Sequence, residues 1–202
     1  MTLRGMCGAP DKAWTKGISV LLFFAAATFS FSQEPRGNPL ENLPPQVRLL
    51  STFGERAAWS PDGKRLAFMH KMFGDALEYD LTTMQLRCLT CGFPHPGFFR
   101  VQYLMNGDYF LIGPAEVRDR EKARWEEAEM WVLRSDLSAP PVRLHQRILE
   151  GVAISRQALR IAWAVGARQY PDRLAKGEAE LWVAEIGGDK DGPRLVNPRR
   201  VH

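Results

Sequence analysis

The decapeptide Trp59-Ser60-Pro61-Asp62-Gly63-Lys64-Arg65-Leu66-Ala67-Phe68 constrains the fold more than any other stretch of the chain. Proline suits the first central position of a reversal, aspartate bonds its own backbone, and glycine supplies positive φ without steric cost. The alternation that follows puts Leu66 and Phe68 on one face of a strand. The decapeptide is therefore a β-hairpin, and it recurs. It overlays Tyr103 to Ile112, where Asn106-Gly107 replaces Asp62-Gly63. Both overlay Ile154 to Trp163, where the turn residues have decayed but Arg160-Ile161-Ala162-Trp163 echoes Arg65-Leu66-Ala67-Phe68. The offsets of 44 and 51 residues are near the period of a propeller blade.

Two further strands follow each hairpin. The third strands are Ala76–Leu81, Met130–Arg134 and Leu181–Glu185; the fourth are Gln85–Thr90, Pro141–His145 and Pro193–Val196. Four short strands per repeat make a propeller blade, and period-2 alternation excludes a helical solenoid. The expected fold is all-β: a β-propeller of four-stranded blades at about 55–92, 98–146 and 151–198. Gln46–Ser51 reads as an orphan fourth strand with no blade before it. Three blades fall below the four to eight of closed propellers, so the propeller reads as incomplete and the chain as truncated. An assembly of several copies is the alternative.

The Trp-Ser-Pro-Asp-Gly-Lys-Arg-Leu-Ala-Phe sequence resembles the repeat of TolB-type, or WD-like, β-propellers, and Arg87-Cys88-Leu89-Thr90 resembles their Leu-Thr ending. The match is strong in the first blade, fair in the second and weak in the third. The resemblance implies a propeller in an exported protein. Family members include periplasmic interaction proteins, and the same repeat precedes the catalytic domain of prolyl-oligopeptidase-type hydrolases. No reaction follows from it, because fold and function are separable.

Residues 1–32 read as a signal peptide. Lys12 and Lys16 precede an uncharged run, Gly17 to Phe31, of h-region length, with small residues at Ser30 and Ser32 for cleavage. An uncleaved N-terminal anchor is the other reading; both place the remainder in the periplasm or outside the cell. Residues 33–45 hold four of the 14 prolines and read as a linker. The chain carries +4 overall, but beyond Ser32 the balance is 24 Lys and Arg against 22 Asp and Glu. That excess is too small for the concentrated basic footprint that nucleic acid demands.

Strand order sorts the loops by rim. The Ser-Pro-Asp-Gly turns share one rim. The long loops between second and third strands, and between blades, share the other, where binding tends to reside. Its candidate binding residues are His70, Phe93, His95, Arg118, Trp125 and Tyr170. Trp59, Trp131, Trp163 and Trp182 sit on strands and read as blade core. Cys88 and Cys91 suit a local disulfide in an oxidising compartment if the chain turns after Leu89, since a straight strand would hold their Cα atoms about 10 Å apart. A zinc site would need His70 and His95 as further ligands, a loose pattern, and no resident metal or other cofactor is expected. The sequence has no Gly-x-Ser-x-Gly elbow and no phosphate-cradling glycine loop, so no catalytic residue is nominated. It reads as an exported, non-catalytic module that binds protein or peptide. The alternatives are the propeller of a secreted hydrolase and a metal-dependent propeller enzyme.

Overall fold

The computed structural model describes residues 37–189 and 192–202. The expected signal peptide, residues 1–32, lies outside the described residues. Among those described, no helix is long and apolar enough to cross a membrane. The chain divides into two units, Met1–Arg48 and Leu49–His202. The described part of the first holds a single 3-10 turn, Pro39–Glu41.

The second unit is built from three four-stranded antiparallel sheets, each in simple meander order. Sheet 1 contains β1 (Glu55–Trp59), β2 (Arg65–Met69), β3 (Ala76–Asp80) and β4 (Gln85–Cys88). Sheet 2 contains β5 (Arg100–Tyr103), β6 (Tyr109–Gly113), β7 (Glu129–Leu133) and β8 (Val142–Arg147), with helix α1 (Arg120–Trp125) between β6 and β7. Sheet 3 contains β9 (Val152–Ile154), β10 (Arg160–Gly166), β11 (Ala179–Asp189) and β12 (Gly192–Arg200). Each sheet is one propeller blade. The third blade's last hairpin is longer than its sequence alternation predicts, pairing from Asp189–Gly192 to Trp182–Arg200.

The founding turn forms as its residues dictate. Gly63 takes φ 69° and its N–H donates to Ser60 O at 3.0 Å. Asp62 Oδ1 accepts from Ser60 Oγ and from Lys64 N, and Ser60 Oγ accepts from Arg65 N. In sheet 2, Gly107 takes φ 91° in the equivalent turn. The sequence overlay carries one residue too many across that turn: Trp59 pairs with Leu66, but Tyr103 pairs with Tyr109. Leu66 therefore corresponds to Tyr109 rather than Phe110.

Apolar alternation builds two junctions between blades. In the first, Ala67, Met69 and Ala76 of sheet 1 pack with Tyr103, Tyr109, Leu111 and Trp131 of sheet 2. In the second, Phe110, Ile112, Met130 and Val132 pack with Ile161, Trp163, Val165 and Ile186. Burying each such large side chain contributes about 2 kcal/mol, before conformational entropy is set against it.

Two expectations are corrected. Gln46–Ser51 forms no strand: Val47 N bonds Pro44 O at 2.8 Å in a turn, and no sheet of the described residues offers the segment a ladder. Trp59 is not core. It is 59% exposed, while Trp131 and Trp163 are buried, because the face of sheet 1 that carries it packs against no other sheet among the described residues.

Candidate binding surface

The loops opposite the Ser-Pro-Asp-Gly turn hold two separate groups of residues. The first surrounds the disulfide that joins Cys88 and Cys91, whose Cα atoms are 5.7 Å apart because the chain turns at Leu89-Thr90. Thr90, fully buried, donates to Asp75 Oδ1 at 2.9 Å and accepts from Ala76 N at 3.0 Å. His95 stacks on Phe98 at 4.9 Å between ring centroids. Its Nδ1 accepts from Gly97 N at 3.0 Å, so Nε2 carries the proton and donates to Asp75 Oδ1, also at 3.0 Å. Both imidazole nitrogens are thus engaged in holding the loop. Asp75, Cys88 and Cys91 bring their ligand atoms within 4.8 Å of one another, but sulfurs joined to each other are not thiolate ligands. His70 stands apart: it is exposed, and its ring meets Phe53 edge-on at 5.4 Å. Phe93 packs against the core of the first junction.

The second group surrounds α1. Asp119 caps the helix, accepting from Glu121 N at 2.8 Å and Lys122 N at 3.1 Å. These bonds hold its carboxyl below the usual carboxylate range. The helix presents Arg124 to Glu150 at 2.9 Å and lays the same guanidinium 4.4 Å from the Trp125 ring centroid. Glu150 also meets Arg56 at 2.6 Å and Arg100 at 3.9 Å. Three guanidiniums, from β1, β5 and α1, thus share one carboxylate that lies just before β9. The cluster carries an excess of two positive charges, and the Nε atoms of Arg100 and Arg124 are buried with no hydrogen-bond partner. Arg168 reaches the Trp125 ring as well, at 5.8 Å.

Gln169 connects this cluster to the third blade's loop. Its side chain, 1% exposed, donates to Trp125 O and accepts from Gly166 N at 2.9 Å. Tyr170 lies beside it, under the Arg173 guanidinium at 4.4 Å, with its hydroxyl bonded to Gln146 Nε2. Trp125 and Tyr170 are therefore brought together, whereas Phe93 and His95 lie with the disulfide and His70 stands apart against Phe53. Arg118 belongs to neither group; it is exposed and pairs with Glu116 at 3.0 Å.

On the opposite rim the ends of the first strands frame a cavity of about 520 Å³, lined by Trp59, Pro61, Gln102, Met105, Ile154 and Arg156. Its walls come from equivalent positions of all three blades.

No family model matches the chain, and neither does any curated protein. Its fold does have counterparts. A TolB structure from Agrobacterium tumefaciens superposes with a TM-score of 0.52 at 16% identity, over 77% of this chain and 52% of that one. The chain has a TolB-like β-propeller fold. TolB from Acinetobacter baumannii aligns at a TM-score of 0.45 and 17% identity, over 75% of this chain and 35% of that one. An acylaminoacyl peptidase in complex with Z-Gly-Gly-Phe-chloromethyl ketone aligns at 0.47 and 12%, over 74% and 25%. The chain spans about half the length of the first of these structures.

Sequence reasoning missed Arg56, Arg100, Arg124 and Glu150. A signal for two of them was present: Arg56 and Arg100 are 44 residues apart, the offset that separates Trp59 from Tyr103. Arg124 and Glu150 join them only through α1 and the connection from β8 to β9, which no repeat register reveals.

Proposed function

We propose that this TolB-like chain is an exported, non-catalytic module that binds a protein or peptide, and that its arginine-rich rim takes acidic side chains or a terminal carboxylate of that partner. The observation that carries the reading is Glu150 shared among Arg56, Arg100 and Arg124. The side chains of Arg56, Arg100 and Arg124 remain 18%, 30% and 26% exposed, so a second carboxylate can reach them, and bonds from guanidinium to carboxylate are among the stronger polar contacts. Trp125 and Tyr170 add rigid aromatic area beside the charges, a composition typical of binding hot spots. Export is supported by the apolar run Gly17 to Phe31 and by a disulfide, which persists in oxidising compartments.

The test is titration calorimetry of the purified chain with short peptides that carry paired glutamates, against matched glutamine peptides. Preference for the acidic set, lost on raising salt and in Arg100→Gln/Arg124→Gln, is the expected result. Equal binding of both sets, or no binding of either, overturns the assignment of this rim.

A further inference from the structure

The cavity framed by the ends of the first strands lies on the rim opposite the arginine cluster, and register sets its three walls in correspondence. Trp59, Tyr103 and Ile154 pair with Leu66, Tyr109 and Ile161 as each first strand ends. The next residues, Ser60, Leu104 and Ser155, donate their N–H groups across the turn to Arg65 O, Asp108 O and Arg160 O, at 3.0, 2.8 and 2.9 Å. Before these positions Ala58 therefore corresponds to Gln102 and Ala153. After them Pro61 corresponds to Met105 and Arg156.

Two residues depart from the repeat without serving its packing. At the first position two blades carry alanine and the middle one glutamine. Gln102 is half-buried, its amide makes no hydrogen bond among the described residues, and its Oε1 is buried without a donor. An unpaired buried acceptor destabilises, whereas the alanine of the other blades would not. At the second position Arg156 stands where the first blade has its turn proline. It is exposed, and its guanidinium makes no hydrogen bond, ion pair or ring contact among the described residues. It supplies neither proline's fixed φ nor a bond to the turn. Local rules broken without a structural return mark functional positions, and both departures line one cavity.

The remaining wall is largely apolar. Trp59 is 59% and Met105 39% exposed, with Pro61 and Ile154 beside them. Among the described residues no carboxylate lines the cavity, so Arg156 leaves it positive. Its volume of about 520 Å³ and its few polar groups on an apolar wall are those of a small-molecule site. We propose that the cavity binds the carboxylate end of a large apolar amino acid, as the last residue of a peptide or as a free N-acylated amino acid. Arg156 takes the carboxylate, and the side chain lies on Trp59 and Met105. The N–H on the same α-carbon donates to Gln102 Oε1, which has no bond to give up when the amide swings into the cavity. The site is separate from the arginine cluster and stands without it.

Nuclear magnetic resonance of the full chain titrated with N-acetylphenylalanine tests this, read at the Trp59 indole N–H and the Gln102 side-chain amide. Both signals are expected to shift. N-acetylphenylalaninamide, which lacks the carboxylate, is expected to bind about tenfold more weakly. Arg156→Gln should weaken the acid by the same factor, and Gln102→Met, which keeps the volume, by about fivefold. Gln102→Met is also expected to unfold at no lower urea concentration than the wild type, which a glutamine that held the blades would not allow. Arg100→Gln/Arg124→Gln should bind the probe as the wild type does, since those residues belong to the other rim. A tetrapeptide ending in phenylalanine that binds more tightly than the probe assigns the cavity to peptide ends; equal or weaker binding assigns it to the free N-acylated amino acid. An unmoved Trp59 signal, equal binding of acid and amide, or wild-type binding by both cavity variants overturns the proposal. So does a destabilised Gln102→Met, or binding lost in Arg100→Gln/Arg124→Gln.

Discussion

The Tyr109 hydroxyl donates to Glu78 Oε2 at 2.7 Å, across the junction between the first two blades. Tyr103 donates to the same oxygen at 2.6 Å, and Arg87 Nε meets the other oxygen at 2.7 Å while its Nη2 bonds the Tyr109 hydroxyl at 2.9 Å. Arg65 Nη1 adds an ion pair to Oε2 at 3.7 Å, and since Glu78 is 2% exposed its charge depends on these four partners. Glu78→Leu takes the acceptor from the buried hydroxyls of Tyr103 and Tyr109, while Arg87, 47% exposed, turns to solvent; the change is expected to cost about 3–4 kcal/mol. Tyr109→Phe removes two bonds but leaves the carboxylate paired, and is expected to cost about 2 kcal/mol. Urea denaturation of the three proteins checks the order: equal losses would mean that the carboxylate is not the hub.

The same pair sets an alkaline limit. Burial, and then the bond to Glu78, push the hydroxyls of Tyr103 and Tyr109 above the ordinary tyrosine range. In the unfolded chain both ionise near pH 10. Above that pH the folded state binds more protons than the unfolded state, so stability is full below about pH 10 and falls as pH rises beyond it. Tyrosinate absorbance followed during an alkaline titration should show two of the four tyrosines ionising only as the protein unfolds. Four independent titrations in the folded state would contradict the buried arrangement.

The blades are legible in the sequence because local rules and burial agree there. Pro61, Asp62 and Gly63 specify a turn, and Leu66 and Phe68 specify a face; nothing distant competes with either. Trp59 misleads because a tryptophan on a strand reads the same whether or not a blade covers it. The junction network is equally hidden. Glu78 sits between Leu77 and Tyr79 in β3, and its tyrosine partners come from 25 and 31 residues further along the chain. His95 is a binding candidate by its loop position, yet its ring bonds Gly97 within that loop and Asp75 of the β2–β3 connection, leaving neither nitrogen free. The arginines around Glu150 converge from distant parts of the chain, and only the repeat offset of Arg56 and Arg100 foreshadows the meeting.

The disulfide closes a loop too short to restrict the unfolded chain strongly, and its removal is expected to cost about 2 kcal/mol. Its local effect is more specific. Cys88 and Cys91 flank Thr90, which ties Asp75 to Ala76 and so anchors the loop that His95 joins. Cys88→Ser/Cys91→Ser should therefore speed amide exchange at Ala76 and Gly97 more than at Tyr109 or Leu111 in the junction core. Uniform acceleration across the blade would show a global loss with no local anchoring.

Gly97 marks where the chain crosses from the first blade to the second, and it tests how tightly that crossing is packed. Its φ is 97°, and a Cβ there would lie 2.5 Å from the carbonyl oxygen of Phe73. That carbonyl cannot retreat easily, because the neighbouring Gly74 and Phe98 exchange backbone bonds of 3.1 and 2.9 Å. Gly107 has a similar φ of 91°, with nothing within 4 Å of the place a Cβ would take. Gly107→Ala therefore measures the backbone cost alone, about 1–2 kcal/mol. Gly97→Ala adds overpacking against a fixed backbone, a further cost of about 1–3 kcal/mol. Thermal or urea unfolding of the two variants should rank Gly97→Ala clearly below Gly107→Ala. Matching stabilities would mean that the crossing yields, and that the blades are joined less rigidly than the bonds between Gly74 and Phe98 imply.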